Sequence, residues 1–168
     1  KLNEEQVADT AASDEEAVLE NKIAEYDAFL TKQDPAFTVE ELEEAMQKVM
    51  DQYAGGIGTH YQFNEKQLAM AEEKIKKLQI LAKGLAAADM HELMFIYELK
   101  ERLTVCLTVI AHLRARKETR WHSFAENLDY PEKSDAWLCY VNSKKNGDQI
   151  TMIRRDLVKG GETYEHRD

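Results

Sequence analysis

One long helix constrains the fold of this chain more than any other segment. Asp89 and Glu92 stand at capping-box spacing, and a helical pattern continues over residues 90–118. Between Leu103 and Leu113 this helix is apolar on nearly every side. A helix that faces water on one side keeps polar residues there, so the pattern predicts a central position in a helical bundle.

Three further helices are predicted upstream, each with its own start signal. The capping pairs are Ser13 with Glu16, Thr38 with Glu41, and Asn64 with Gln67. The first helix is expected to run to about Leu30, the second to stop at Gly55-Gly56, and the third at Lys83-Gly84. The apolar stripe predicted for the first helix is Val18, Leu19, Ile23, Tyr26 and Leu30.

The last quarter of the chain changes pattern. Residues 137–141 and 149–153 are rich in β-forming side chains and flank Asn146-Gly147, which is a strong hairpin signal. The polar residues 160–168 are expected to form a loose tail or another extended segment. The predicted fold is mainly α, an antiparallel bundle of three to four helices with a small C-terminal β hairpin. We divide it into an acidic helical segment (1–37), the bundle (38–120), and a loop, hairpin and tail (121–168).

Charge and cysteine content exclude several classes of protein. The net charge is −10, which disfavours binding to nucleic acid or to an anionic membrane surface. The longest apolar run is too short to span a membrane, and the two cysteines, Cys106 and Cys139, lie too far apart for a zinc or iron–sulfur motif. We therefore expect reduced thiols and a cytoplasmic protein. The chain starts without Met, which suggests a piece of a longer polypeptide.

Two motifs resemble functional sites only superficially. The glycines at positions 55, 56 and 58 follow a helix rather than a strand, so a helix end and bend is favoured over a dinucleotide-binding loop. Glu118 and His122 have the spacing of two metal ligands on a helix, but no third ligand accompanies them. Neither motif predicts an active site.

A basic cluster closes the long helix. His112, Arg116 and Arg120 recur every four residues and would share one helix face, and Arg114 would pair with Glu118 on another. One interpretation is compensation of the helix dipole together with local salt bridges. The other is a guanidinium cluster that docks onto another domain, a partner subunit or an anion. Trp121 and Trp137 suit either an interface or the core under a hairpin.

The same region carries a family resemblance. The stretch Arg116-Lys117-Glu118-Thr119-Arg120, followed by Asp129-Tyr130-Pro131 and Trp137, resembles the C-terminal helical domain of the succinate dehydrogenase/fumarate reductase flavoprotein family. Within that family, the adenylylsulfate reductase α subunits are most similar, on residues 50–56 and 116–143. The resemblance covers roughly residues 38–155. Trp121 stands where most relatives have Gly, which disfavours a generic succinate or fumarate role.

The resemblance implies a parent enzyme rather than an enzyme in this chain. Such an α subunit binds FAD and, with an iron–sulfur β subunit carrying 4Fe-4S clusters, interconverts adenylyl sulfate with sulfite and AMP in dissimilatory sulfate reduction. The family's flavin-binding and substrate-binding motifs have no counterpart here, so no catalytic, cofactor-binding or metal-binding residue is carried over. The domain is expected to pack on the upstream flavin domain and to help dock the β subunit. The predicted docking residues are Arg116, Glu118, Arg120 and Trp121.

Two other functions stay open at this point. A free-standing helical adaptor would bind a basic protein through residues 1–54, which hold 15 acidic and 4 basic residues. A small metal enzyme would use Glu118, His122 and a further ligand. A fragment cut from a larger enzyme would also expose an apolar patch, which predicts self-association.

Overall fold

Four helices and one hairpin form the fold in the computed structural model, which describes residues 4–147 and 149–158. The helices are α1 (Glu4–Leu30), α2 (Val39–Tyr53), α3 (Glu65–Ala82) and α4 (Met90–Ala115). Strands β3 (Cys139–Asn146) and β4 (Gln149–Asp156) form the antiparallel hairpin. Strands β1 (Gln62–Phe63) and β2 (Glu126–Asn127) form a short parallel pair. The prediction of a mainly α bundle with a small C-terminal hairpin is confirmed. Predicted features of residues 160–168 lie outside the described residues.

The core runs along α4, which contacts all three other helices and the hairpin. Its fully buried side chains recur at helical spacing and pack against the buried side chains of α3. The central position predicted for the long helix is therefore confirmed. The largest completely buried side chains of the bundle are Leu68, Ile75, Leu85, Ile96, Leu99, Leu103 and Ile110.

Three of the four predicted helix starts are confirmed. Thr38 forms a full capping box with Glu41, and Asp89 accepts hydrogen bonds from the N–H groups of His91 and Glu92. Asn64 caps α3 by accepting from the Gln67 N–H at 2.9 Å. These local bonds satisfy backbone donors that a helix leaves unpaired at its first turn.

The start predicted for α1 is wrong. Ser13 lies inside the helix, which already includes Glu4. Two of the five predicted stripe residues, Tyr26 and Leu30, pack against the core, whereas Val18, Leu19 and Ile23 are exposed. Phe29 buries its side chain in the bundle near the C-terminal end of α1, and the side chains of residues 15–21 are exposed.

The end predicted for α4 is also wrong. The helix stops at Ala115, three residues before Glu118, and Arg116 has the extended backbone angles φ −84° and ψ 111°. One side of its apolar segment is open to solvent, where Val105 is 60% exposed and Val109 41% exposed. Apolar residues on every side of a helix thus indicate more burial than this chain alone provides.

The glycine segment after α2 is a packed bend. Gly55 has φ +76°, which favours glycine at the helix end. A Cβ at Gly56 would lie 2.3 Å from the Asp51 Cα, so the chain passes too close to α2 for any side chain. The Gly58 N–H donates to Asp51 Oδ1 at 2.9 Å. The predicted helix end and bend is confirmed.

Across residues 4–147 and 149–158, none of the helices combines the length and the hydropathy that crossing a membrane requires.

Candidate docking surface at the end of the long helix

The residues predicted as a docking cluster lie in the loop that follows α4. Because the helix ends at Ala115, His112, Arg116 and Arg120 do not share a helix face. Arg114 pairs with Glu65 and Glu72 on α3 instead of Glu118. The tertiary fold replaces the predicted helical pairs by contacts between elements.

Glu118 is the centre of this loop. Its side chain is completely buried, and one carboxylate oxygen accepts from Arg116 Nη1 and from Arg120 Nε, each at 2.5 Å. The other oxygen accepts from the Ser134 N–H at 2.9 Å. Three donors on one buried carboxylate form a compact charged node, which we call the Glu118 clamp (Arg116, Glu118, Arg120 and Ser134).

The clamp keeps Glu118 ionised. Burial by itself would raise the pKa of Glu118, but the hydrogen bonds from Arg120, from the Ser134 N–H and from Arg116 together lower it below its usual value. The side chains of Arg116 and Arg120 remain partly exposed, at 30% and 20% of their areas. The node therefore holds one buried negative charge between two cations that still reach solvent.

Arg116 also fastens the hairpin to the end of α4. Its Nη1 donates to the Trp137 carbonyl at 2.9 Å, and its Nη2 donates to the Cys139 carbonyl at 3.1 Å. The Trp137 ring lies near two guanidinium groups, with the Arg154 group 4.2 Å from the ring centroid and the Arg116 group at 5.9 Å. Trp137 thus joins the packing under the hairpin.

A neutral node reinforces the same loop. Thr119 is buried, and its hydroxyl accepts from the Asn127 N–H at 3.0 Å and donates to the Tyr130 carbonyl at 2.9 Å. Asn127 in turn accepts from the Asp129 N–H through its side-chain oxygen. The loop is held by side-chain contacts rather than by regular secondary structure.

The loop also connects back to the start of α3. The Leu128 N–H donates to the Phe63 carbonyl at 2.8 Å across the β1–β2 pair, and Asp129 accepts from the Glu65 N–H at 2.7 Å. The Asp129 carboxylate lies at the positive end of the α3 dipole, which favours a negative charge. Residues more than sixty positions apart thereby fix the loop.

Large side chains project from this fixed loop into solvent. Trp121 is 69% exposed and Phe124 is 73% exposed, and Leu138 and Tyr140 on the hairpin side are also exposed. Trp121, Leu138 and Tyr140 border a cleft of about 470 Å³ that reaches down to His112, Leu113 and the Glu118 carboxylate. Trp121 is thus the one predicted docking residue whose side chain is mainly at the surface.

The two-ligand metal motif does not form. The Glu118 carboxylate is occupied by its three donors, and His122 Nδ1 lies 3.4 Å from Glu126 instead. In the described ranges no three His, Cys, Asp or Glu side chains converge as a metal site would require. Docking through Arg116, Glu118, Arg120 and Trp121 stays a prediction, since no contact with another domain is observed.

Several residues of this surface escaped sequence reasoning. Ser134 and Asn127 carry no motif, and Thr119 entered only as part of the stretch that carries the family resemblance. Their partners lie 8 to 16 positions away, so local spacing could not predict these bonds.

The glycine bend after α2 does not fit a flavin phosphate, and the two cysteines do not fit an iron–sulfur cluster. The glycine bend places the Asp51 carboxylate against the Gly58 N–H, where a phosphate group would meet a negative charge. The two thiols, Cys106 and Cys139, cannot supply the cysteines that a cluster needs, and burial raises the pKa of the Cys106 thiol.

Comparisons with known proteins agree on one family. The model of the family described as fumarate reductase flavoprotein C-terminal domain matches residues 43–162. The α subunit of adenylylsulfate reductase from Megalodesulfovibrio gigas is 34% identical over 98 residues, which is 58% of this chain and 15% of that subunit. The chain therefore spans only a small part of this relative.

Solved structures show the same similarity. The adenylylsulfate reductase of the hyperthermophilic Archaeoglobus fulgidus aligns with a TM-score of 0.80 at 31% identity, over 89% of this chain and 26% of that one. An adenosine-5-phosphosulfate reductase in complex with sulfite (covalent adduct) aligns with a TM-score of 0.73 at 34% identity, over 84% and 24%. The E. coli quinol fumarate reductase shares the fold, with a TM-score of 0.67 at 19% identity over 98% and 27%.

Proposed function

The chain belongs to the family of fumarate reductase flavoprotein C-terminal domains, and we propose that it is the non-catalytic C-terminal domain of an adenylylsulfate reductase α subunit. In that role it packs on the flavin domain of the same polypeptide and helps dock an iron–sulfur β subunit. The parent would be a cytoplasmic oxidoreductase that holds FAD upstream and 4Fe-4S clusters in the partner. By itself the chain would have no activity.

The observation that carries this proposal is the open apolar side of α4. Val105 and Val109 are exposed on a helix whose other sides form the core. An isolated apolar side chain at a surface is ordinary, but a row on the central helix is typical of a surface that another domain covers. The similarity to the M. gigas subunit occupies 15% of that chain, so most of such a polypeptide remains to supply the covering domain.

The Glu118 clamp supports the proposal in a second way. It makes the loop after α4 rigid, and rigid presentation of an exposed aromatic residue lowers the entropy lost on association. Trp121 lies on this loop and borders the 470 Å³ cleft, and Phe124 is exposed on the same loop. Exposed tryptophans on ordered loops are frequent centres of protein interfaces.

A binding experiment with one charged variant tests the proposal. The 168-residue chain is mixed with the separately expressed upstream flavin domain and β subunit of the same enzyme, and co-elution, flavin absorbance and adenylyl-sulfate-dependent activity are measured. We expect Val105→Glu to weaken binding to the flavin domain by at least about tenfold, because it places a charge in an apolar contact.

Met70→Glu is the matched control, since it also replaces an exposed apolar residue by a carboxylate, but on α3. It should bind like the parent chain. If the folded chain bound neither partner, the domain assignment would be wrong, and the adaptor that uses the acidic residues 1–54 would be favoured.

A further inference from the structure

A second cleft, of about 870 Å³, lies between α1, α3, α4 and the tip of the β3–β4 hairpin. The charged residues that the structure describes in its lining are five lysines and one glutamate, although the whole chain has a net charge of −10. We call it the lysine cleft, after Lys76, Lys83, Lys100, Lys144 and Lys145.

Most of this positive charge is not neutralised inside the described structure. Among the described residues of the lining, Glu25 is the one carboxylate, and it already accepts from Lys100 and from Lys22. Among residues 15–147 and 149–158, Lys83, Lys144 and Lys145 have no acidic partner. Like charges gathered around a cleft repel one another, so this arrangement favours an acidic occupant.

The floor of the lysine cleft is apolar. Ile80 is 67% exposed, and Phe29, Leu107 and Ile150 line the same space. A small inorganic anion would leave these side chains uncovered. The surface therefore fits a segment that carries carboxylates together with apolar side chains.

The N-terminal half of α1 has this composition. Residues 4–21 contain seven acidic and no basic residues. Where its side chains are described, Glu15, Glu16 and Glu20 are exposed beside Val18 and Leu19, which are 70% and 60% exposed. The same chain thus presents an acidic, partly apolar helix and a basic, partly apolar cleft.

The helix cannot reach the cleft of its own chain. Glu25 and Ala28 of α1 already border the lysine cleft, and residues 4–21 continue along the same helix axis. At the usual rise, these eighteen residues extend about 27 Å further. A continuous helix does not fold back onto a cleft that its own next turns border.

We propose that two copies of this chain form a dimer in which the N-terminal half of α1 of each copy occupies the lysine cleft of the other. Val18 lies seven residues before Glu25, which places both on the same side of the helix. The inserted segment and the receiving cleft are therefore adjacent on one face. Reciprocal exchange about a two-fold axis satisfies both copies at once and ends the assembly at two.

This dimer does not depend on the proposed function. It uses α1 and the lysine cleft, whereas docking of a flavin domain uses the open side of α4 and Trp121. The two proposals can fail separately, because each has variants that leave the other surface intact.

Sedimentation equilibrium of the 168-residue chain tests the dimer. At low salt we expect a reversible monomer–dimer equilibrium that weakens as salt screens the charges. The cleft variant K83E/K144E/K145E and the helix variant E15K/E16K/E20K should each raise the dimer dissociation constant by about 100-fold or more, since like charges then face each other.

Mixing the two variants gives the decisive result. The reversed helix matches the reversed cleft, and the unchanged helix matches the unchanged cleft, so the mixture should dimerise again although neither variant does alone. K66E/K77E/K133E changes the net charge equally at exposed lysines outside the cleft and should still form dimers. Circular dichroism confirms that each variant is folded.

Three results would overturn the proposal. They are a monomeric parent chain at every concentration, dimers that both triple variants retain, and a mixture of folded variants that stays monomeric. A parent chain that is monomeric but captures an unrelated acidic protein would assign the lysine cleft to another partner.

Discussion

Glu118 is the residue on which the loop after α4 depends. In the sequence it looks like a solvent-facing helical residue, yet it is completely buried and binds two arginines and a backbone N–H. A buried carboxylate is tolerated only when such partners compensate its lost hydration. Through these bonds Glu118 holds residues 116 to 134 in one fixed arrangement, from which the Trp121 side chain projects into solvent.

Glu118→Gln should destabilise the chain by about 3 kcal/mol, the low end for breaking a buried ion pair, because the arginines that lose their counter-charge still reach solvent. Urea unfolding followed by circular dichroism measures this change in the free energy of unfolding. Glu73→Gln, on the exposed face of α3, is the control and should change it by no more than about 0.5 kcal/mol. Equal effects of the two substitutions would show that the clamp does not stabilise the fold.

A second prediction at this scale concerns the bend after α2. Gly56→Ala should cost about 2 to 3 kcal/mol, because its Cβ would overlap the backbone of Asp51. At Gly84 the nearest atom to an added Cβ is the Leu81 carbonyl oxygen at 3.2 Å, so Gly84→Ala should cost less than about 1 kcal/mol. Thermal unfolding of both variants measures the two losses of stability. A larger loss at Gly56 than at Gly84 would show that the close approach of the chain to Asp51, rather than the loss of a glycine's backbone freedom, causes the destabilisation.

Helix α1 packs against the bundle through residues near its C-terminal end. Phe29 is buried, the Tyr26 and Tyr97 rings meet edge to face with centroids 5.3 Å apart, and Glu25 links Lys22 to Lys100. Before Lys22 the described side chains are exposed. Helix propensity alone cannot explain a stable exposed half, so a contact outside this chain, such as the dimer proposed above, would stabilise it.

The ionic contact of α1 has a defined pH range. Hydrogen bonds from Lys100 and Lys22 lower the pKa of Glu25 from 4.5 to about 2, so its stabilisation is present above pH 4.5 and is lost as pH falls toward 2. The hydrogen bond to Glu25 raises the pKa of Lys22 from 10.5 to about 12, so its contribution is lost as pH rises through that range.

Glu25→Gln should therefore destabilise the chain near neutral pH, and the difference should shrink steadily as pH falls from 4.5 toward 2. Urea unfolding of the parent chain and the variant at a series of pH values measures the difference in the free energy of unfolding. Glu73→Gln, in which no ion pair is removed, should show a small difference at every pH. A constant difference for Glu25→Gln would mean that its charge does not hold α1.

At the scale of the whole molecule, the two proposals use two different surfaces of the described structure. The open side of α4 continues toward the cleft beneath Trp121, and the lysine cleft lies between α1 and the hairpin tip. The first is apolar and aromatic, which suits a permanent contact within one enzyme. The second is basic, which suits an acidic helix and a salt-dependent association.

Trp121→Ala should weaken association with the flavin domain without changing the stability of the chain. Because most of this side chain is in solvent, the free energy of unfolding should change by less than about 0.5 kcal/mol. Affinity for the flavin domain should fall by about 10- to 30-fold, as for a central aromatic contact. Calorimetric titration measures the affinity, with Met70→Ala as the control that should leave it unchanged. An unchanged affinity for Trp121→Ala would remove Trp121 from the docking surface.

Local chemistry in the sequence determined most of the elements. Thr38, Asn64 and Asp89 cap helices through bonds to residues two or three positions away, and the hairpin turns directly after Asn146, where Gly147 has φ +60°. These signals are complete within a few residues, so they can be read without the fold. The helix start predicted at Ser13 is wrong because its spacing to Glu16 fits a capping box although α1 is already helical before Ser13.

The tertiary structure alone decided where α4 ends and what its last residues do. Arg114 finds Glu65 and Glu72 on α3, and Glu118 finds Ser134 sixteen positions later in the loop. The lysine cleft likewise unites side chains of α3, α4 and the hairpin that are scattered along the chain. Helical spacing describes neighbours on one element, whereas a buried charge is stabilised by whichever partners the packed elements bring to it.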